Sequence, residues 1–439
     1  MKNQNNYFKN IYMKGDERMS DNNEQFLLKR INKMKNPVSI TEFIALDGFS
    51  AIKKAVKMPK EDILNEIIEA NLRGRGGAAY PAGRKWKQLY EINESPKYIV
   101  CNADEGEPGT FKDKVLLSKD PFSVIEGMLI AGYLFGSENG FIYIRGEYRD
   151  IQKTFQNAIN EAVKAGFLGN NILGIEGFNY TITIVSGSGA YVCGENSALL
   201  NSIEGKAGRP RVKPPHLAEV GLYLKPTLVN NVETFACIPL VINLGGTKFL
   251  ELGTIDGGGT KLISLSGHSK NRGVYEVKLG TPLHDILYSE EYGGGTSTGN
   301  PIKFCHLGGQ SGPIGYIDQL NERLYSYEDL WNNDLAVGSG AIVVMDDTVS
   351  TIEYLKSVME FFVHESCGKC TPCRLGTTRL LELLNNFSKK NVKETDIDQL
   401  ETLVNHITDL SACGLGQSVG VAIKSSLKYS RQEFEECIK

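Results

Sequence analysis

The chain has no apolar run long enough to cross a lipid bilayer. A membrane-spanning helix needs about 20 apolar residues, whereas the longest apolar runs, such as FACIPLVINL at 235–244, are far shorter. The polar N-terminus also lacks the apolar core of a secretory signal peptide. The sequence therefore predicts a cytoplasmic protein without a direct membrane span.

The chain also has no excess of basic residues, and its number of cysteines is odd. The 48 Lys and Arg residues are balanced by 52 Asp and Glu residues, which leaves a formal net charge of −4. Nucleic-acid binding is not expected, because it calls for a basic patch. The nine cysteines do not indicate a disulfide framework, so a reducing compartment is expected, with some thiols serving as ligands.

With 439 residues, the chain is too long for one ordinary hydrophobic core, and several domains are expected. Residues 1–34 form a polar extension, with disorder expected up to about residue 25. Strands alternate with helices over 95–200, which predicts an α/β domain with a largely parallel sheet over 35–240. Short strands between glycine turns indicate a β-grasp domain over 241–345. From 346 to 439 the pattern predicts a helical bundle, with a last helix near 418–438.

Four cysteines in the predicted bundle share one spacing pattern. Cys367, Cys370 and Cys373 stand in ESCGKCTPCR, and Cys413 follows in SACGLGQ, which makes the pattern C-x2-C-x2-C-x39-C. Structural zinc usually takes its ligands in two separate pairs, whereas three cysteines in one turn plus a distant fourth are typical of a 4Fe-4S cluster. The sequence predicts a cluster, with a zinc knot or buried thiols as the alternative.

Two glycine-rich loops and an acidic loop are candidates for ligand binding. GRGGAAYPAGRKW at 74–86 follows a helix rather than a strand, so it is not an ordinary dinucleotide fingerprint. Its bare N–H groups can still bind a phosphate or a flat ring, with a structural turn as the alternative. The carboxylates of CNADEGEPGTFKDK at 101–114 could bind a metal, orient ribose hydroxyls or simply be solvated. SGSGAYVCGEN at 186–196 runs into a helix, which suits anion capture, and NNVET at 230–234 adds two amides.

Together these motifs resemble the pyridine-nucleotide-oxidising flavoprotein subunit of respiratory complex I. Its soluble relatives include the diaphorase subunits of electron-bifurcating hydrogenases and of NAD(P)-linked formate dehydrogenases. The likeness covers roughly residues 35–439, with the motifs in family order. It implies a multi-domain α/β protein with a Rossmann-like FMN domain, a β-grasp (ubiquitin-like) domain and a C-terminal helical bundle that carries the cluster.

The resemblance also assigns roles to individual residues. It implies FMN held by the two glycine loops, the acidic loop and the amide pair: Gly74, Arg75, Gly76, Gly77, Lys85, Asn102, Asp104, Glu105, Tyr191, Gly194, Asn230 and Asn231. It implies NAD(P) bound by Tyr80, Glu107, Glu195, Asn196, Lys206 and His216. Glu107, which positions the nicotinamide, and Glu195 are the candidate catalytic residues. The cluster is implied on Cys367, Cys370, Cys373 and Cys413.

One departure from the family pattern bears on the choice of nucleotide. Complex I members commonly read GEE where this chain reads Gly194–Glu195–Asn196. The family's second glutamate lies near the adenosine ribose, where its charge would repel a 2′-phosphate. Asn196 removes that charge, and Arg84 and His216 offer positive charge nearby. The sequence therefore favours NADP(H) over NAD(H), with neutral drift at Asn196 as the alternative.

The function expected from these observations is that of a diaphorase subunit in a hetero-oligomer. Hydride passes between nicotinamide and FMN, and electrons pass singly through the 4Fe-4S cluster to partners. The expected partners are a thioredoxin-like 2Fe-2S subunit and a larger iron–sulfur subunit of hydrogenase or formate dehydrogenase type. Gly106 and Asn196 favour a soluble bifurcating complex. An NADH-specific complex I-type subunit and a non-catalytic scaffold are the alternatives.

Overall fold

The computed structural model describes residues 18–19, 25–212 and 214–438. Of the N-terminal segment expected to be disordered, Arg18–Met19 form strand β1, and the rest of the segment before residue 25 lies outside the described residues. Residues 26–28 are anchored to the body of the protein, because the buried Glu276 carboxylate accepts hydrogen bonds from their backbone N–H groups at 2.9 to 3.1 Å.

A four-stranded parallel sheet forms the centre of the first half of the chain. Its order is β4-β3-β2-β5, with neighbouring strands in parallel register. These strands are rich in Ile, Val and Tyr, which favour extended backbone. This sheet confirms the predicted α/β layer. The strands are β2 (Tyr98–Ala103), β3 (Asn139–Ile144), β4 (Thr181–Ser186) and β5 (Thr227–Asn231).

Helices pack around this sheet. The α6–α9 contact is especially close, because a side chain at Gly127 in α6 would overlap the backbone of Phe235 in α9. Both helices are buried over nearly their whole length, as expected for the centre of an α/β layer. The helices are α1 (Ile40–Ala45), α2 (Ser50–Ala55), α3 (Lys60–Glu69), α4 (Ala82–Tyr90), α5 (Lys112–Lys119), α6 (Pro121–Phe135), α7 (Arg149–Lys164), α8 (Asn196–Ile203), α9 (Val232–Leu244) and α10 (Gly246–Glu251).

The second sheet has the β-grasp topology that the sequence predicts. Its order is β1-β7-β6-β10-β8-β9, in which β6 and β10 are parallel and are flanked by antiparallel partners. Helix α11 (Leu283–Tyr288) crosses between β7 and β8, followed by α12 (Ile317–Leu320) and α13 (Tyr327–Asn332). The strands are β6 (Thr260–Gly267), β7 (Gly273–Lys278), β8 (Ile302–Leu307), β9 (Ile314–Tyr316) and β10 (Ala341–Asp346).

The C-terminal part is helical, as expected, but the single last helix predicted near 418–438 is wrong. Two short helices, Val421–Tyr429 and Arg431–Glu435, occupy this region, and Ser430 leaves the helical conformation between them, with φ −140° and ψ 36°. Among the described residues, no helix is long and apolar enough to cross a bilayer. The helices are α14 (Thr351–Glu365), α15 (Thr371–Ser388), α16 (Glu394–Leu410), α17 (Gly414–Ser418), α18 (Val421–Tyr429) and α19 (Arg431–Glu435).

A buried ion network joins the two sheets. The Glu233 carboxylate, in the first turn of α9, lies 2.6 Å from the Lys261 ammonium on β6 and 2.9 Å from the Lys112 ammonium on α5, and all three side chains are buried. Glu233 also accepts from the backbone N–H of Leu262 at 2.8 Å. Burial alone would raise the pKa of Glu233, but the charges of Lys112, Lys261 and Arg75 outweigh it and lower the pKa to about 2. The ionised carboxylate therefore stabilises the folded state.

Replacing Glu233 by Gln should be strongly destabilising, because the two buried lysines lose their shared carboxylate. Lys112 keeps its contact with Asp113 at 2.6 Å, whereas Lys261, whose pKa burial already lowers to about 7, loses the carboxylate with which it is paired. The expected loss is about 3 kcal/mol of unfolding free energy, measured by guanidinium-induced unfolding. The stabilisation from Glu233 is full above its unfolded pKa near 4.5 and is lost as the pH falls toward 2, so the variant should also lose part of the acid dependence in that window.

The matched control is Glu94→Gln, which removes a carboxylate from a half-exposed ion pair with Lys225 at 2.9 Å. Exposed pairs contribute only about 0–1 kcal/mol, so this variant should unfold nearly as the native chain does. Equal effects of the two substitutions would show that the buried network does not hold the sheets together.

Candidate functional site

The four predicted cluster cysteines border one cavity. Cys367 lies in the loop after α14, Cys370 caps α15 and Cys373 lies in its first turn, so the triplet enters the helix rather than preceding it. Cys413 caps α17 on the opposite side. The cavity is lined by Val192, Pro210, Ser366, Cys367, Gly368, Lys369, Cys370, Cys373, Ala412, Cys413 and Leu415. The structure therefore brings the distant fourth cysteine to the triplet.

The surroundings of these thiols suit a cluster bound as thiolates. Backbone N–H groups of Leu415 and Gly416 donate to Cys413 and favour its thiolate. Burial acts in the opposite direction and raises the pKa of the Cys373 and Cys413 thiols, so iron has to displace their protons. In the described part of the chain, no group of three or more His, Cys, Asp or Glu side chains is arranged to hold a single metal ion. Four thiols around a shared cavity match the donor set of a 4Fe-4S cluster.

Asn102, Asp104 and Gly194 meet at the carboxyl end of β2. The Asn102 amide donates to the Gly194 carbonyl at 2.8 Å and its oxygen accepts from the Asp104 N–H at 3.1 Å. A side chain at Gly194 would lie 3.6 Å from the Asp104 carboxylate. Asp104 Oδ2 is buried without a partner in the described residues, and burial raises the pKa of Asp104 to about 7. An unpaired buried acceptor of this kind fits the hydroxyl groups of an FMN side chain.

The first glycine loop lies against the end of the neighbouring strand β5. A side chain at Gly76 would lie 3.1 Å from the Asn231 side chain, and Gly77 has φ +128°, a conformation that favours glycine. Lys85 donates to the Val229 carbonyl at 2.9 Å. With its amide oriented to satisfy its neighbours, Asn230 accepts from the Trp86 indole at 2.8 Å. The first glycine loop and the acidic loop that follows β2 thus lie at the same carboxyl edge of the parallel sheet, where such folds bind ligands.

Two of the residues predicted to bind FMN hydrogen-bond to other residues of this chain. The buried Arg75 guanidinium donates to the Tyr327 hydroxyl at 2.6 Å and to backbone carbonyls of Gly258 and Thr260 at 2.7 and 2.9 Å. The Glu105 carboxylate accepts from the N–H groups of Asp113 and Lys114 at 2.8 and 3.0 Å, which caps α5. Both side chains thus hold the loops in place.

Glu195 and Asn231 cap helices next to the site. The Glu195 carboxylate accepts from the N–H groups of Ser197 and Ala198, both at 2.9 Å. The Asn231 oxygen accepts from the Glu233 N–H at 3.0 Å, and its amide donates to Asp113 at 2.6 Å. Their carboxylate and amide oxygens therefore stabilise the N-termini of α8 and α9.

The predicted nucleotide residues lie at different depths. Tyr80 is 38% exposed and accepts from Gln88 at 3.3 Å. The half-buried Asn196 side chain accepts from Asn102 at 3.2 Å, so it adjoins the Asp104 site. Lys206 is paired with Glu204 at 2.6 Å, and His216 is exposed. The structure thus places Asn196 beside Asn102 and leaves Tyr80 and His216 exposed.

Tyr191 connects three parts of the chain. Its hydroxyl donates to the Glu107 carboxylate and lies 2.8 Å from the Ser311 hydroxyl. Its backbone N–H donates to Glu365 at 3.0 Å, and its ring meets Phe361 edge-on at 5.1 Å. Sequence reasoning missed Ser311 and Glu365. The adjacent glycines of HLGGQSG at 306–312 are the one sequence signal that could have drawn attention to the Ser311 loop.

The same short turn borders both candidate cofactor sites. In the 3-10 turn Tyr191–Gly194, Val192 lines the cysteine cavity, whereas Gly194 holds Asn102. Two residues of chain, roughly 7 Å at most, separate these two positions. The turn therefore lies between the Asp104 site and the cysteine cavity and contributes residues to both.

Comparisons with known proteins agree with this geometry. Residues 67–240 match the model of the Nuo51 FMN-binding domain, and residues 353–437 match the NADH-ubiquinone oxidoreductase-F iron-sulfur binding region. The F subunit of NADH-quinone oxidoreductase from Streptomyces coelicolor is 42% identical over 89% of this chain and 86% of its own. The HndC subunit of the NADP-reducing hydrogenase from Solidesulfovibrio fructosivorans is 41% identical over 91% of this chain and 81% of its own.

A solved structure extends the likeness to the whole fold. An NAD⁺-reducing NiFe-hydrogenase in the H₂-reduced state superposes with a TM-score of 0.83 at 30% identity, over 97% of this chain and 68% of that one. The sequence relatives, the matched domain models and the superposed fold agree on one family. The chain belongs to the family of NADH-binding flavoprotein subunits of respiratory complex I, whose members are oxidoreductases that carry FMN and a 4Fe-4S cluster.

Proposed function

We propose that this chain is the diaphorase subunit of a soluble cytoplasmic complex, in which it exchanges electrons between NADP(H) and partner iron–sulfur subunits. The observation that carries the proposal is the Tyr191–Gly194 turn, which borders both the Asp104 site and the cysteine cavity. A scaffold without redox activity would not require this proximity. The proximity suits electron transfer from a flavin at Asp104 to a cluster at the cysteines.

The residues of this chain hold and orient the reactants. Bound FMN would supply the hydride chemistry and the change from two-electron to one-electron transfer. Asn102, Asp104 and the first glycine loop would hold the flavin at the carboxyl edge of the sheet, and Lys85 would be its basic contact. Glu107 positions the nicotinamide. No side chain has to act as a general acid, because positioning carries the hydride step.

The preference for NADP(H) rests on Asn196. This residue lies beside Asn102 and brings an amide where the family commonly has a second carboxylate. A 2′-phosphate therefore meets no negative charge at this position. The relatives divide on this point, because one is named for reducing NADP and another for oxidising NADH, so an NADH-linked complex I-type subunit is the second candidate.

The relatives and Gly106 support the proposed parent complex. A hydrogenase of the NADP-reducing type, or a formate dehydrogenase, would supply the larger iron–sulfur subunit, and a thioredoxin-like 2Fe-2S protein would be the neighbour. Gly106 packs against Tyr191, since a side chain there would lie 3.2 Å from the Tyr191 ring. We infer electron bifurcation as a property of that assembly.

The first test is dye reduction by the purified protein with FMN and cluster bound. We expect NADPH to reduce a viologen dye faster than NADH at equal concentration, with bleaching of both flavin and iron–sulfur absorption. Faster reduction by NADH would instead assign the chain to the NADH-linked group. No bleaching by either nucleotide would support the scaffold alternative.

Asn196→Glu should shift the selectivity toward NADH by about tenfold, because a new carboxylate near a 2′-phosphate costs free energy through like-charge repulsion. The measurement is the ratio of kcat/KM for NADPH to that for NADH. Asn196→Gln is the control, because it has the length of Glu without the charge, and its ratio should stay near that of the native chain. A ratio that shifts equally in both variants would contradict the charge argument.

Cys413→Ser should remove most of the broad iron–sulfur absorption and of the bound iron, because the fourth thiolate closes the cluster from the second loop. Cys437→Ser is the matched control in the same bundle, since its buried thiol donates only to the Glu433 carbonyl at 3.3 Å. The control should keep its full iron content. Unchanged iron in the Cys413 variant would mean that this thiol is not a ligand.

A further inference from the structure

The loop Gly308–Gly312, between β8 and β9 of the second sheet, encloses the Glu107 carboxylate. The Ser311 N–H donates to Glu107 at 3.0 Å, and the Gln310 N–H also donates to it. The approach is so close that a side chain at Gly309 would overlap Glu107. Successive N–H groups around one carboxylate form an anion nest. The β-grasp part of the chain thus reaches the residue proposed to position the nicotinamide.

The Ser311 and Tyr191 hydroxyls each have one hydrogen to donate, and this sets the direction of the hydrogen bonds between Ser311, Tyr191 and Glu107. Burial raises the pKa of Glu107, and the hydrogen bonds from Tyr191, Ser311 and Gln310 oppose that rise. In its ionised form the carboxylate can only accept, so the Tyr191 hydroxyl donates its single hydrogen to Glu107. The Ser311 hydroxyl lies 2.8 Å from the Tyr191 hydroxyl and 3.5 Å from Glu107 Oε2, so it donates to Tyr191 at the short distance and reaches the carboxylate directly only at the long one. The resulting chain runs from Ser311 through Tyr191 to Glu107. Hydrogen bonds in such a chain polarise and strengthen one another.

The loop itself is anchored to the rest of the protein. The buried His306 ring lies 2.9 Å from the Gly312 carbonyl and 3.0 Å from the Tyr354 hydroxyl. A carbonyl can only accept, so Nε2 carries the proton and Nδ1 accepts from Tyr354. Burial lowers the pKa of His306 to about 4, which keeps the ring in this neutral form. The loop is thus held on its far side by α14, the helix that leads to the cysteines.

The Gly308–Gly312 loop also carries a buried polar atom without a hydrogen-bond partner among the described residues, and it adjoins the first glycine loop. Gln310 is 2% exposed, yet its Oε1 has no partner among the described residues, which points to a ligand or a bound water. Ser339 donates to the Gly308 carbonyl at 3.0 Å. A side chain at Gly77 would lie 3.9 Å from the Ser339 backbone nitrogen. The Gly308–Gly312 loop and the first glycine loop are therefore neighbours across one site.

We propose that the Gly308–Gly312 loop is part of the pyridine-nucleotide site, and that the Ser311 hydroxyl is a positioning residue that holds Tyr191 and Glu107 in place beside the nicotinamide. This inference rests on the proposed function, because it assigns the loop to the nucleotide that the diaphorase uses. It gives the β-grasp part a role in nucleotide binding in addition to its structural role.

The test is a steady-state comparison of Ser311→Ala with the native protein, with FMN and cluster bound, using NADPH and NADH as the probes. Ala removes the hydroxyl and keeps the backbone N–H that donates to Glu107. We expect KM for the preferred nucleotide to rise about five- to tenfold, with kcat changed less than about twofold and FMN content unchanged. Ser311→Thr, which retains a hydroxyl, should restore KM to near the native value.

A double-mutant cycle with Tyr191→Phe separates positioning from general destabilisation. If the Ser311 hydroxyl acts through Tyr191, the double variant should bind nucleotide no worse than Tyr191→Phe alone. Additive losses in the cycle would overturn the inference, and so would a native KM in Ser311→Ala.

Ser269→Ala is the matched control, because Ser269 is a fully buried serine of the same β-grasp part whose hydroxyl is directed at backbone carbonyls of Asn271 and Gly293, at 3.4 and 3.2 Å. It should leave KM unchanged, and an equal rise in KM there would overturn the role of Ser311. The failure of the proposed function has a different signature: the native protein, with FMN bound, would then reduce dye with neither nucleotide.

Discussion

The buried Glu233 carboxylate is the contact on which the arrangement of this protein depends. It lies between two lysines, Lys112 on α5 and Lys261 on β6 of the β-grasp sheet. Burying three charged groups is costly unless each has partners at short distance, and here the partners come from different parts of the chain. The network therefore fixes the relative position of the two sheets. Because Asp113 joins it through Lys112 and also accepts from the Asn231 amide, the same network holds the end of β5 in place.

With the sheets fixed, loops from each of them meet around Glu107. The β8–β9 loop arrives from the second sheet and donates to this carboxylate, and the Tyr191 hydroxyl donates to it from the opposite part of the chain. The Tyr191 backbone N–H in turn donates to Glu365, which ends the helix that leads into Cys367. The turn that Tyr191 begins separates the Asp104 site from the cysteine cavity. A compact turn shared by both sites keeps their separation short and constant, which suits single-electron transfer between them.

The sequence by itself determined the parts whose signals are local. The C-x2-C-x2-C-x39-C spacing indicated a cluster site, the alternation of strands and helices predicted the parallel sheet, and short strands between glycine turns predicted the β-grasp sheet. The end of the bundle was misjudged, because the break at Ser430 depends on a local departure from helical dihedrals that no Pro or Gly announces. The sequence also could not show which of the motif residues are engaged by protein partners.

Only the tertiary structure decided those partnerships. Arg75 and Glu105 stand in ligand-like motifs, yet contacts with residues distant in sequence, Gly258 for Arg75 and Tyr148 for Glu105, commit them to holding loops. Ser311 stands more than 200 residues beyond Glu107, and no periodicity or spacing links the two. Local patterns record secondary structure and ligand spacing, whereas the pairing of distant loops arises from the packing of two sheets around one buried network of charges.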